Sequence, residues 1–159
     1  MDFQLIVLWV HILAACTWIG GMISMTLVIV PVNRSIQDFV LRNKIIKNVA
    51  FRFKYLGWGS IIILILTGIF NSLHTINSLN DFIQTSYGKT LLLKTIFVLV
   101  MILLSVIHDF YLGPKIIQIE NEKNRKDLTS MLTILSKSNL LIGLLILLLA
   151  VTLRYGGVM

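Results

Sequence analysis

Four long apolar stretches separated by short polar ones dominate the chain. The first runs from about Leu5 to Val32, the second from Phe53 to His74, the third from Leu91 to Leu112 and the fourth from Ser138 to Arg154. A helix needs about 20 apolar residues to cross a hydrocarbon layer about 30 Å thick. Unpaired peptide groups are too costly in that layer for any open irregular segment. Strand-like alternation of apolar and polar positions is absent, which excludes a barrel. The pattern therefore predicts an all-α membrane protein. It predicts one domain over residues 1–159, an up-down four-transmembrane-helix bundle, because short connections favour antiparallel neighbours. Pro31 near the end of the first stretch, and Gly113 with Pro114 at the end of the third, are expected to close those helices.

Composition agrees with the pattern. Of the 159 residues 57% are hydrophobic and 13% charged. Disordered chains need the reverse, and soluble domains carry about 25% charged residues. The lone cysteine, Cys16, excludes an internal disulfide and a Cys-rich metal cluster. Leu13 to Cys16 looks like a lipoprotein cleavage box. No Lys or Arg precedes it, and the sequence stays apolar to Val32, so residues 5–32 are read as a retained span.

The net charge of +7 would suggest nucleic acid in a soluble protein. Here the cations sit between spans, so no nucleic-acid partner is implied. Arg34, Arg42, Lys44, Lys47, Arg52 and Lys54 follow span one, and Lys115, Lys123, Arg125, Lys126 and Lys137 follow span three. The opposite side has Lys89, Lys94 and Arg154. This bias places both termini outside and both basic segments in the cytoplasm, as for a multi-pass protein of a bacterial inner (plasma) membrane. The stretch from Asn121 to Asp127 is charged with mixed sign and reads as a solvated loop or short surface helix.

Polar side chains within the spans recur at a seven-residue step. His11, Trp18 and Met25 share one face of span one, with Met22 beside them. Ser60, Thr67 and His74 do so on span two, and Lys94, Met101 and His108 on span three. A heptad step returns to nearly the same face of a helix. Turning the stripes inward keeps these groups from lipid. Gly20, Gly21, Gly57, Gly59, Gly68 and Gly143 offer close packing between helices.

All three histidines lie in or at the end of a span, and intramembrane ionisable groups are candidate functional sites. Counting 1.5 Å per residue puts His11 roughly 9 Å into its span and His108 roughly 25 Å into a parallel one, too far apart to share a metal. His74, Lys94 and Arg154 fall near the level of His11. Two imidazoles there suit the axial positions of a b-type haem, with Lys94 and Arg154 at the propionates and Trp18 against the ring. A quinone or another membrane redox partner could use the same cations. His108 is left for a second metal site, a proton path or structure. The competing ligand is copper, held by His11, Met22, Met25 and Met101, because Cu(I) favours thioether and imidazole. Each candidate has a plainer reading. The histidines can simply bond to a neighbouring helix, Lys94 can snorkel, Arg154 can anchor a span end and the methionines can fill a core. A third possibility is an accessory subunit of a larger membrane redox complex.

At these residues the chain resembles the copper resistance protein D family of bacterial inner-membrane proteins. The matching positions are His11, Trp18, Gly20 and Gly21 in span one, Tyr87, Gly88, Lys89 and Lys94 entering span three, and His108, Asp109, Gly113 and Pro114 at its end. That resemblance implies copper uptake or tolerance. The His11–Trp18–Gly20 opening and the Lys94–His108 span are more distantly similar to a haem-binding protoporphyrinogen oxidase family of short membrane proteins. This second resemblance implies b-type haem and porphyrin redox chemistry. No arginine directly follows Pro31, where that family's pattern has one.

Overall fold

A computed structural model describes residues 2–73, 81–118 and 122–157. It is helical, with no strand among the described residues. The chain forms two compact units, Met1–Asn77 and Ser78–Met159, described separately below. Four helices are long and apolar enough to cross a membrane: Phe3–Arg34, Phe39–Leu73, Ser86–Ile116 and Asp127–Arg154. Between 11% and 22% of each apolar window is buried inside the protein. The rest is presented outward by side chains such as Leu27, Leu66 and Leu148, a surface suited to lipid and not to water.

In the first unit α1 (Phe3–Ser24) leads through a π-helical turn (Met25–Ile29) into α2 (Val30–Arg34), and α3 (Phe39–Leu73) returns beside it. The pair is antiparallel: Phe3 meets Phe70 edge-on at 5.4 Å between ring centroids, Trp18 lies against Gly57, and Gly21 against Phe53. Asp38 starts α3. Its Oδ1 accepts the backbone N–H groups of Val40 at 2.8 Å and Leu41 at 3.1 Å, donors that have no partner inside a helix.

The second unit holds α4 (Asp81–Gln84), α5 (Ser86–Val106), a second π-helical turn (Ile107–Leu112), α6 (Gly113–Gln118) and α7 (Glu122–Arg154). Thr85 caps α5 by accepting the Gly88 N–H at 3.0 Å. α7 runs antiparallel to α5, so the chain after Arg154 comes back to the start of α5. Gly156 and Gly157 both have positive φ there. A Cβ on Gly157 would collide with the Ser86 carbonyl oxygen, so this close approach requires glycine.

The two prolines do not end their helices as expected. Each helix continues past its proline, to Arg34 and to Gln118, and each proline is preceded by a π-turn. The Val30 N–H donates to the Met25 carbonyl and the Gly113 N–H to that of His108, each five residues back. A proline ring clashes with the carbonyl four residues earlier and cannot donate to it. The wider turn accommodates both demands without breaking the span. The basic connections are also more helical than expected. α3 begins at Phe39 and not Phe53, and α7 at Glu122 and not residue 138. At 35 residues α3 is about 52 Å long, so its basic first turns extend beyond the hydrocarbon.

Hydroxyl groups inside the spans are made inexpensive locally. Thr17, Ser60, Ser72, Thr95 and Thr133 each donate to the carbonyl four residues back in their own helix, and Thr67 and Ser136 lie within reach of theirs. Replacing Gly157 with alanine should lower unfolding stability in mixed micelles by about 1–3 kcal/mol, from backbone strain and the Ser86 clash. Replacing Gly20, which has open space where a Cβ would sit, should change it by less than about 1 kcal/mol.

Candidate functional site

The first unit builds its most specific polar contact between α1 and α3. His11 Nδ1 lies 2.7 Å from Thr67 Oγ1. The Thr67 hydroxyl has one proton and two acceptors within reach, the Ile63 carbonyl oxygen at 2.6 Å and the His11 ring nitrogen. When that proton goes to Ile63, Thr67 accepts from an Nδ1–H and the His11 lone pair lies on Nε2. Metal-binding histidines use the same arrangement: an acceptor behind one ring nitrogen orients the other as a ligand. Gly68 lets the helices close around this ring, since a Cβ there would sit 3.5 Å from His11 Cε1. Two turns deeper, Trp18 is buried over Gly57.

Met22 and Met25 continue the same stripe, both half-buried, at the junction of α1 and the π-turn. Met22 is roughly 16 Å along the helix from His11, so one ion cannot touch both. A shallow groove beside the stripe, of about 400 Å³, is lined by Leu13, Ala14, Thr17, Gly59, Ser60 and neighbours. The hydroxyls of Thr17 and Ser60 are already turned to their own backbones. The groove therefore offers an apolar ligand, such as an acyl chain, more than it offers an ion.

The second unit carries two polar rungs between α5 with its π-turn and α7. Asn139 Nδ2 donates to Ser105 Oγ at 2.9 Å. One turn on, His108 Nε2 lies 3.1 Å from Ser136 Oγ, and His108 Nδ1 lies 2.7 Å from the Asp109 carboxylate. Both ring nitrogens of His108 are thus engaged by protein groups. Met101 is buried in the same seam at 3% exposure, in the position of a core side chain.

Of the sequence-derived site residues, His11 and Trp18 do lie on the interior stripe of their unit. His74 lies outside the described residues. Lys94 is half-buried on α5, and Arg154 is exposed at the end of α7. Cys16 is exposed and off the stripe. Among the described residues no three His, Cys, Asp or Glu side chains gather in a metal-binding group. Thr67 and Ser136 are the partners that sequence reading passed over. Thr67 stood on the predicted stripe without a role. Ser136 fell in a stretch read as loop, although Thr129, Thr133, Ser136, Asn139 and Gly143 step along one helical face.

Four long apolar helices define a multi-pass membrane protein. The family model for copper resistance protein D matches residues 47–153. The chain belongs to that family. The match begins within α3, so α1 and His11 lie outside it. The chain is also similar to an uncharacterized protein of Aquifex aeolicus (strain VF5), at 31% identity over 150 residues covering 94% of each chain. No solved structure matches significantly.

A double-mutant cycle tests the His11–Thr67 contact. With His11→Ala and Thr67→Val measured by unfolding in micelles, the coupling energy should be about 0.6–1.7 kcal/mol, the range of hydrogen bonds between membrane helices. A coupling near zero would remove the basis for the assigned tautomer.

Proposed function

We propose that the chain passes copper ions through a bacterial plasma membrane, with His11 Nε2 as the first coordinating atom. The observation that supports this is the His11–Thr67 contact, which places an acceptor behind Nδ1. With the Thr67 proton on Ile63, Thr67 holds the Nδ1–H, and Nε2 carries the lone pair a soft or borderline metal needs. The family's description points to copper, the ion that best suits imidazole and thioether together. Met22 and Met25 form a second, deeper pair of soft donors. His74 is the proposed second imidazole. Donors spread along one helix suit an ion that moves between weak sites more than one that is stored. Met101 and His108 take no part in this reading, since one is packed in a core and the other has both nitrogens engaged.

A second reading is favoured by the same His11–Thr67 contact. An axial imidazole on haem iron also needs its lone pair on one nitrogen and a proton held by an acceptor on the other. His11 and His74 would then be the ligands of a b-type haem, and Trp18 would pack on the ring. The haem would supply one-electron chemistry to a membrane partner or quinone.

The full chain, purified in detergent and loaded with Cu(I), distinguishes the two. Copper should bind to the wild type and be lost in His11→Ala. Thr67→Val should weaken it about 10–100-fold, the usual effect of removing an outer-shell partner, while Thr67→Ser should retain it. Equal copper content in wild type and His11→Ala would sink the copper reading. A Soret band in the wild type that His11→Ala abolishes would establish the haem reading in its place.

A further inference from the structure

The His108 cluster is used by neither reading, and its geometry is unusual for a histidine that serves only to pair two helices. The Ser136 hydroxyl lies within reach of two acceptors, the Leu132 carbonyl oxygen at 2.9 Å and His108 Nε2 at 3.1 Å. It has one proton to give. Asp109, as a carboxylate, only accepts, so the 2.7 Å contact gives His108 a proton on Nδ1. Two complete bonding patterns then exist for the same atoms. With a neutral ring, Ser136 donates to the Nε2 lone pair. With a charged ring, Nε2–H donates to Ser136 Oγ, and the hydroxyl turns to the Leu132 carbonyl. A buried donor or acceptor left unmatched is costly, and here neither state leaves one on these groups.

We propose that Asp109, His108 and Ser136 form a proton-binding site in the second unit. One proton is taken up at Nε2, Ser136 changes acceptor, and the net charge of the His108–Asp109 pair goes from −1 to 0. The proton belongs to the pair, since the two groups are in direct contact. Imidazole is the side chain whose unperturbed charge change falls between about pH 5 and 8. Other titratable groups on the elements packed here are Tyr111 on the same π-turn, Lys115 on α6, and Asp127 and Lys137 on α7, all exposed. The one ion-pair partner of His108 among the described residues is Asp109.

Access and setting favour exchange of the proton. The His108 side chain is 36% exposed and that of Asp109 23%, so the site is neither sealed nor fully solvated. Both residues sit on a π-turn, where the regular ladder of backbone bonds is already interrupted. The Ser105–Asn139 rung one turn away continues the polar seam. The site does not depend on copper or haem being bound, so its test stands apart from theirs.

Histidine 15N spectra of the full chain in lipid nanodiscs test the site, with the His108 signals identified by their loss in His108→Gln. As the pH is raised the ring should pass from both nitrogens protonated to one. The proton lost should be that on Nε2, so the neutral ring keeps the Nδ1–H form, the minor one for a free imidazole. Ser136→Thr should preserve this pattern, and Asp109→Leu should abolish the Nδ1–H preference. The His11 signal, from the other unit, should stay unchanged and reports that each variant is folded. A His108 ring that keeps one form throughout the pH series, or that loses its proton from Nδ1, overturns the proposal.

Discussion

Hydrocarbon offers no water to satisfy a peptide N–H or C=O, and that constraint governs the structure at every scale. It makes each apolar stretch a helix. It makes Pro31 and Pro114 tolerable only where a wider turn redirects the backbone bonds around them. It turns most hydroxyls of the spans onto carbonyls of their own helices, and it lets only a few side chains bond from helix to helix. Those few, His11 with Thr67 in one unit and His108 with Ser136 in the other, are where chemistry can be placed.

The two histidines show how one residue type acquires different roles from its acceptors. Each faces a hydroxyl on the returning helix of its own unit. At His11 the hydroxyl lies 2.6 Å from the Ile63 carbonyl oxygen, and when it bonds there the ring keeps its proton on Nδ1. At His108 a carboxylate holds the far nitrogen, and the hydroxyl has a choice of acceptor. The first arrangement suits a fixed ligand and the second a group that changes state. The difference lies in the second neighbour of each ring, beyond the direct helix-to-helix contact.

Much of the fold was legible in the sequence because span length and apolar content answer directly to bilayer thickness. The interior placement of His11 and Trp18 was legible because the seven-residue step is a property of any helix. The helix ends were not. Asp38 caps α3 fifteen residues before the apolar run begins, and hydropathy cannot register a capping oxygen. The prolines were read as stops because a π-turn has no composition of its own. Ser136 was passed over for the same reason as the helix around it: a basic, hydroxyl-rich first half looks like loop until the helix is drawn through it. The level of His74 relative to His11 was argued from chain counting alone, and His74 lies outside the described residues.

The wide turns before the prolines also alter how these spans keep register. A π-turn holds one residue more than the ladder on either side, which advances the helical phase by about 100°. Residues before Met25 and after Ile29 therefore follow separate wheels, as do those before Ile107 and after Leu112. Each of these spans is in effect two helices spliced out of step. A splice of this kind is a place where a chain can lose a residue and revert to ordinary winding, so related proteins can differ in length there and still cross the same membrane.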